Sequence, residues 1–378
     1  MGAQARTGRC VTRRLRVVVL TASLGAGHDN PARQIAHGLR VAGHRPEVVD
    51  LVDLAPAGLG VLIRAAFRAL LCRAPRWWGP MYDVLDGRAV PPAPVRAITA
   101  LLTDPVYRLL SGGADAVVST FPLGGHVVAA VRARGLTVPL ITYLTDPAVH
   151  RLWVTEATDL YLATWSATGA EIRRHGPAAV SVVEPAVRPD FRPVADIAER
   201  ARCRREFGLP ACPLAVVMSG SWGVGDLAGA AMDLRNHTPV TPVVVCGRNG
   251  RLRKRLAGTP GLVVLGWVPD VARLLRACDI AVLNSGGLSQ AEAVASALPV
   301  IHYRSLPGQG EANALVSARA GLAQNPRSIE ELVDAVADAL LRRPSRVSLP
   351  MSRAGLIDEI VAVAAHDERQ LAARGTAR

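Results

Sequence analysis

The sequence predicts two consecutive doubly wound α/β domains. Three observations carry this reading. The chain has 378 residues, about twice the size of an ordinary domain. Short β-branched runs alternate with helix-like stretches, the pattern of βαβ units and a parallel sheet. The alternation stops at Val183–Pro193, where Pro185, Pro189 and Pro193 break any regular element, and then starts again. A content of 50% hydrophobic and 20% charged residues suits a packed chain rather than a disordered one.

The elements follow in order. Arg16–Leu20 is a β-branched run suited to a strand buried on both faces. A small-residue loop, Thr21 to His28, comes next. Asp29 or Asn30 is placed to cap a helix with Pro31 at its first position and its end near Val41. Gly43 ends it, and Glu47–Leu51 reads as the second strand. Ala116–Thr120, Leu140–Leu144 and Leu160–Thr164 continue the sheet. In the second domain Ala215–Met218, Val243–Cys246, Leu262–Leu265, Ile280–Leu283 and Val300–Tyr303 are strand-like. Val271–Cys278, Ser289–Ala297 and Glu311–Ala320 are helix-like. Ser328 and Glu331 form a capping box for a helix reaching about Arg342, and a last helix covers about residues 357–373. The division is therefore an N-terminal domain at 1–185, a second at 190–350, and a helical segment at 351–378 that packs back across them. Ligands are expected at the carboxyl ends of the strands, in the cleft between domains.

The stretch 57–82 differs from its surroundings. Leu59, Leu62, Ile63, Ala66, Phe67 and Leu70 form a helical apolar stripe. Arg64, Arg68, Arg73 and Arg76 lie beside it and Trp77 and Trp78 end it. Two readings fit: a helix whose apolar face packs on the sheet, or an amphipathic surface at a membrane, with Trp at headgroup level and Arg toward phosphate.

Charge narrows the chemistry. Lys and Arg total 44 against 31 Asp and Glu, a formal +13, yet Lys254 is the single lysine. A phosphate loop ending in Gly-Lys-Ser/Thr is excluded, and a Schiff-base enzyme would have to use a lysine set among arginines. A basic excess favours anionic partners, and an excess made of arginine reads equally well as compositional bias. Basic residues are scattered, aromatics are 4%, and no zinc-finger or RNA-binding pattern is present, so nucleic acid is not expected as a partner. The six cysteines form no Cys-x-x-Cys pair and read as free thiols of a reducing compartment. No apolar run approaches the ~20 residues of a membrane span. The basic N-terminus leads into a glycine loop rather than a cleavage site, so a cytoplasmic location is expected.

Two constellations carry the chemistry. In the first, Gly25-Ala26-Gly27-His28 joins a strand to a helix, where glycine lets backbone approach a ligand and the helix N-terminus favours negative charge. His28 at its tip is a candidate general base. Asp146, in Thr145-Asp146-Pro147, leaves the sheet at a carboxyl end and is a second candidate, with an Asx turn as the alternative. In the second, Asn284-Ser285-Gly286-Gly287-Leu288-Ser289-Gln290-Ala291-Glu292 is a strand–glycine–helix anion site suited to a diphosphate. Glu292 reads either as a ribose acceptor or, with Ser289, as a capping box. Pro307-Gly308-Gln309-Gly310-Glu311-Ala312-Asn313 offers amides to sugar hydroxyls, and Ser219-Gly220-Ser221 and Cys246-Gly247-Arg248-Asn249 follow two further strands. Four such strand ends predict a nucleotide-binding domain. An NAD-dependent enzyme built on Gly25, Gly27 and Asp50 leaves the C-terminal cluster unexplained.

Taken in order, Gly25-x-Gly27-His28, Thr145-Asp146…His150-x-x-Trp153, Cys246-Gly247-Arg248-Asn249, Gly286-Gly287-x-Ser289-x-x-Glu292 and Pro307-Gly308-Gln309…Asn313 resemble the monogalactosyldiacylglycerol synthase-type glycosyltransferases, relatives of the peptidoglycan lipid-intermediate N-acetylglucosaminyltransferase. The resemblance covers about residues 16–345. It implies a GT-B fold, two Rossmann-like domains facing across a cleft, with a UDP-sugar as co-substrate held by the C-terminal domain and a lipid acceptor held by the N-terminal one. It also implies inversion, no metal and no further cofactor. By the resemblance His28 and Asp146 activate the acceptor, with Gly25 and Gly27 in their loop. Gly220, Ser221, Arg248, Asn249, Gly286, Gly287, Ser289, Glu292, Gln309 and Asn313 hold the donor. The expected protein sits on the inner face of the cell membrane, with Arg64, Arg68, Trp77 and Trp78 toward an anionic surface. The chain departs from the family pattern at Asn284 (commonly Lys), Ser289 (usually Thr) and Phe121 (often His), so sugar and acceptor stay open. A catalytically idle relative that binds nucleotide-sugar or lipid is the alternative.

Overall fold

The computed structural model describes residues 13–56, 58–74, 77–86, 91–176, 179–341 and 355–375; Arg76 and Arg342 lie outside them. The N-terminal domain holds β1 (Arg16–Thr21), α1 (Ala26–Val41), β2 (Arg45–Asp50), α2 (Leu59–Arg73), α3 (Trp78–Asp86), α4 (Ala93–Ser111), β3 (Ala116–Ser119), α5 (Pro122–Arg132), β4 (Leu140–Leu144), β5 (Leu160–Ala163), α6 (Ser166–Arg173) and β6 (Ala179–Val182). Its strands form one parallel sheet in the order β2-β1-β3-β4-β5-β6. The order reverses at β1 and β3, so a crevice opens beyond the carboxyl ends of those two strands. The β-branched runs are inside because both faces are covered: Val17 and Val19 pack toward α1, Val18 and Leu20 toward α4 and α5.

The C-terminal domain repeats the plan with α7 (Ile197–Glu206), β7 (Leu214–Met218), α8 (Leu227–His237), β8 (Thr241–Val245), α9 (Gly250–Leu256), β9 (Val263–Leu265), α10 (Val271–Ala277), β10 (Ile280–Leu283), α11 (Leu288–Ala295), β11 (Val300–His302), α12 (Gln309–Arg319) and α13 (Ile329–Leu341). Its parallel sheet runs β11-β10-β7-β8-β9, and the order reverses at β7 and β10. The last helix, α14 (Leu356–Gly375), returns to the first domain, where Ile360 and Ala364 join the core beneath α1.

Some local expectations change. Helix α1 starts at Ala26, capped by Gly25 at φ +125°, so Pro31 lies inside the helix rather than at its head. A Cβ-free residue turns the chain early enough for helix to begin before the Asp29–Asn30 caps. Asp29 instead accepts from Thr21 Oγ1 at 3.0 Å. Helix α11 is likewise capped by Gly287, which puts Ser289 in its first turn and leaves no Ser289–Glu292 capping box. Ser328 does cap, accepting from Glu331 N–H at 3.2 Å, while the Glu331 carboxylate accepts from Arg327 N–H. Strand β6 was not foreseen: it is a four-residue edge strand bonded on one side only and half exposed, which leaves a weak apolar pattern.

Helix α2 packs on the sheet very little. Phe67 and Leu71 join Trp78 of α3 and cross to Trp222, Val224 and Leu306 of the C-terminal domain. Val61 and Leu62 near its start are 69% and 63% exposed, and Trp77 beyond its end is 59% exposed.

Candidate functional site

The two topological reversals face each other. The N-terminus of α1 and the N-terminus of α11 meet across a cavity of about 530 Å³ lined by both domains. Gly25, Gly27, His28, Asp146, Gly220, Ser221, Gly286, Gly287, Ser289, Glu292, Gln309 and Asn313 all line it.

His28 is the third residue of α1, between β1 and β3. Its Nδ1 lies 2.8 Å from the carbonyl oxygen of Thr120 at the end of β3. A carbonyl only accepts, so Nδ1 carries the proton and Nε2 keeps its lone pair. Phe121 meets the ring edge-on at 5.1 Å and Trp153 lies at 6.0 Å, which hold its plane. Burial pushes the imidazole below its ordinary pKa, opposed by the nearby Asp146 charge. The side chain is therefore neutral at pH 7, a base rather than an acid.

Asp146 follows β4 and is buried. Its Oδ1 accepts from Asn313 Nδ2 at 3.0 Å, and its Oδ2 from Gln309 Nε2 at 3.0 Å and Thr145 Oγ1 at 3.4 Å. Asn313 Oδ1 in turn accepts from Ala148 N–H at 3.0 Å. The amides read as sugar ligands in the sequence thus bridge the two domains in this structure, a pairing between residues 163 and 167 positions apart that spacing cannot reveal. Gly287 makes the approach possible. It has φ +69°, and a Cβ there would stand 2.8 Å from Asp146 Oδ1.

On the C-terminal side, the carboxyl of half-buried Glu292 makes no hydrogen bond with the described residues, and desolvation raises it to about 8, with Arg188 opposing. Ser219, buried at the end of β7, has an Oγ without a partner and lines the same wall. Two expected donor ligands are placed elsewhere. Asn249 caps α9, accepting from Leu252 N–H at 3.0 Å, and its amide donates to Gly223 O at 2.9 Å. Arg248 lies over the Trp267 ring, 4.8 Å from its centroid, and the indole, not the guanidinium, lines the cavity. Their loop lines the cavity through Gly247 and is tied to the wall by Arg248 N–H donating to Ser221 O. Among the described residues no group of His, Cys, Asp and Glu is arranged to hold a metal ion.

The remaining wall is apolar: Phe67, Leu71, Trp78, Met81, Leu85, Val95 and Ile98 from α2, α3 and α4, with Phe121 and Leu123. Arg64, expected at a bilayer, turns inward to Ser23 Oγ (2.6 Å) and to the carboxylates of Asp50 (2.8 Å) and Asp53. Trp78 also faces inward, edge-on to Phe67 at 5.3 Å. Trp77 and Arg68 are exposed. Sequence reasoning missed Thr145, Tyr82 and Trp267. Trp267 had a signal, following β9 in Gly266-Trp267-Val268-Pro269. Tyr82 had none: α3 brings it against His150 at 4.4 Å, and burial with the Asp146 charge holds its phenol protonated.

Comparison with known proteins matches each domain to one family profile. Residues 29–181 match the family described as monogalactosyldiacylglycerol (MGDG) synthase, and residues 217–342 match glycosyl transferases group 1. Each domain is thus similar to a glycosyltransferase family, and the chain has the GT-B fold. Similar curated proteins include the processive diacylglycerol beta-glucosyltransferases of Bacillus subtilis (strain 168), 29% identical over 238 residues, and of Bacillus licheniformis, 28% identical over 236. Each match spans 60% of this chain and 60% of the relative's own length. Among solved structures, MurG of Acinetobacter baumannii aligns with a TM-score of 0.54 at 15% identity, over 93% of this chain and 94% of MurG. UGT89C1 of Arabidopsis thaliana complexed with UDP-L-rhamnose aligns with 0.58 at 14%, over 93% of this chain and 100% of that one. At such identities the likeness establishes the fold. No helix of the described residues is long and apolar enough to cross a membrane.

Proposed function

We propose that this protein moves a hexose or N-acetylhexosamine, with inversion, from a UDP-sugar to the hydroxyl of a lipid such as diacylglycerol. The observation that carries the reading is His28, whose Nε2, without a hydrogen-bond partner among the described residues, stands where a polar, glycine-lined wall meets an apolar one. The acceptor hydroxyl gives its proton to Nε2 as its oxygen bonds the anomeric carbon. The bond from that carbon to the diphosphate oxygen breaks, and UDP leaves with the electron pair. The α11 N-terminal amides and the Ser219 and Ser221 hydroxyls stabilise the departing charge. Glu292 accepts from the ribose hydroxyls, Trp267 offers its ring to the base with Arg248 behind it, and Gln309 and Asn313 reach the sugar. The apolar wall takes the acyl chains. Support comes from the relatives, which are named for diacylglycerol glucosylation.

The same reading puts the protein on the inner face of the cell membrane. Val61, Leu62 and Trp77 expose an apolar surface flanked by Arg68 and Arg73, and residues 1–180 hold 20 Arg against 12 Asp and Glu. Each basic residue near an anionic surface adds about 1 kcal/mol. The idle alternative has no observation in its favour: Asn284 donates to Val224 O and Phe121 packs on His28, so both departures are built into the site.

The test incubates the protein with UDP-glucose, UDP-galactose and UDP-N-acetylglucosamine and with diacylglycerol in neutral or anionic vesicles, and reads the lipids by mass spectrometry and the anomeric configuration by NMR. A β-linked glycolipid, formed faster on anionic vesicles, is expected. UDP binding without transfer across the panel overturns the proposal.

A further inference from the structure

Helix α3 lines the cavity with Trp78, Met81, Tyr82 and Leu85, spaced as a single helical face. Three of them are apolar and continue the wall of Phe67, Leu71, Val95 and Ile98. Tyr82 is the polar interruption. Its hydroxyl makes no hydrogen bond with the described residues, yet the residue is fixed from two sides. Its backbone carbonyl accepts from His150 Nε2 at 3.2 Å. The His150 ring, whose Nδ1 accepts from Leu152 N–H at 3.1 Å, lies 4.4 Å from the Tyr82 ring. From the other domain Gly308, at φ +73°, closes on it, and a Cβ there would stand 2.9 Å from Tyr82 Cβ. A half-buried hydroxyl held this firmly, with no partner among the described residues, is available to a ligand.

The surroundings select the ligand group. Burial, and after it the Asp146 charge, keep the phenol protonated, so it donates. The same carboxylate repels an anionic partner such as a phosphate, which leaves a neutral acceptor oxygen. In the proposed function the lipid hydroxyl lies at His28 and the acyl chains follow the apolar wall. Between them a diacylglycerol carries esters, whose carbonyl oxygens are strong acceptors. An ether oxygen is a weaker one, and it would leave the phenol covered by alkyl chains and poorly paired.

We propose that Tyr82 is a specificity-determining residue that donates a hydrogen bond to an ester carbonyl of the acceptor, so that the cavity selects acyl-ester lipids over their ether analogues. This inference rests on the lipid acceptor of the proposed function and deepens that reading.

The experiment measures binding by calorimetry with UDP present, and so needs no turnover. The ligands are dihexanoylglycerol and the matching di-O-hexylglycerol, which differ in their carbonyls alone. The proteins are the wild type, Tyr82→Phe, which keeps the ring and loses the hydroxyl, and Leu85→Ala, which trims the apolar wall beside it. The wild type is expected to bind the ester roughly 3- to 10-fold more tightly than the ether. In Tyr82→Phe the two ligands bind alike, whereas Leu85→Ala weakens both and keeps their ratio. In the transfer assay with diacylglycerol, Tyr82→Phe raises KM more than it lowers kcat, because the bond is made in ground and transition states alike. Equal affinities in the wild type, a ratio that survives Tyr82→Phe, or binding of neither ligand overturns the inference. Ester-selective binding lost in Tyr82→Phe, with no sugar transferred by the wild type, overturns the reading beneath it and leaves Tyr82 as the reader of the ester.

Discussion

The two sheets of this protein end alike and are put to different uses. At the reversal of the first, between β1 and β3, the chain presents a ring: His28, with one nitrogen tied to Thr120 O and the other free. At the reversal of the second, between β7 and β10, it presents backbone, with Gly220, Gly286 and Gly287 and the N-terminus of α11 lining the cavity. A carboxyl-end crevice offers amides and helix dipole to an anion whatever follows the strand. What suits one crevice to proton transfer, in the proposed function, is a half-buried imidazole whose desolvation favours its neutral form. What suits the other to a charged leaving group, in the proposed function, is the glycine backbone at the α11 N-terminus, where Gly286 and Gly287 let Asn313 and Asp146 approach closely. Topology supplies the place, and the local residues supply the chemistry.

Three substitutions probe this contrast. His28→Ala removes the proposed base alone. Turnover is expected to fall about 10²–10⁴-fold, while UDP affinity measured by calorimetry stays within experimental scatter. A parallel loss of UDP affinity would mean that the first crevice also holds the nucleotide.

Glu292→Gln acts on the other side. Replacing an acceptor oxygen by an amide that donates is expected to weaken UDP binding by roughly 3- to 10-fold, with the acid limb of the pH profile unmoved. It carries a pH signature as well. A carboxyl raised to about 8 in the fold, against an ordinary value of 4.5, contributes stability below pH 4.5 that is lost as pH rises toward 8. The thermal midpoint of the ligand-free wild type should therefore drop relative to Glu292→Gln across that window, and saturating UDP should narrow the gap. A gap constant from pH 4.5 to 8 would refute the buried, partnerless carboxyl.

Gly287→Ala sits where the two crevices touch. A left-handed φ costs an L-residue about 1–2 kcal/mol, and its Cβ meets Asp146. A thermal midpoint lower by a few degrees is expected, with a turnover loss smaller than that of His28→Ala. An unchanged midpoint would show that α11 and Asp146 move apart freely.

Much of the fold was legible because parallel strands covered on both faces read as continuous apolar runs: Val17–Leu20, Leu140–Leu144 and Ile280–Leu283 need no partner to be recognised. The start of α1 was misplaced because Pro31 is a strong local signal, and glycine at 25 overrode it. The same holds for Ser289, displaced from its cap by Gly287. In the site, His28 and Glu292 were legible as polar groups at strand–helix junctions. Arg64 was not: its partners Asp50, Asp53 and Ser23 come from the end of β2 and the β1–α1 loop, so an arginine that looks membrane-facing along a helix is neutralised in three dimensions. Asn249 misled in the opposite way, because a helix cap and a ligand use the same side chain at the same kind of strand end.

By itself the sequence determined the two α/β domains and the glycine-rich strand ends, since these follow from apolar periodicity and short-range motifs. It also excluded a lysine-based phosphate loop through its single Lys254. Only the tertiary structure decided that Gln309 and Asn313 hold Asp146, that α2 and Trp78 lean on the opposite domain, and that Trp267 rather than Arg248 faces the cavity. These are contacts between segments far apart in the chain. Their geometry depends on how two rigid sheets are set against each other, and no local pattern encodes that relation.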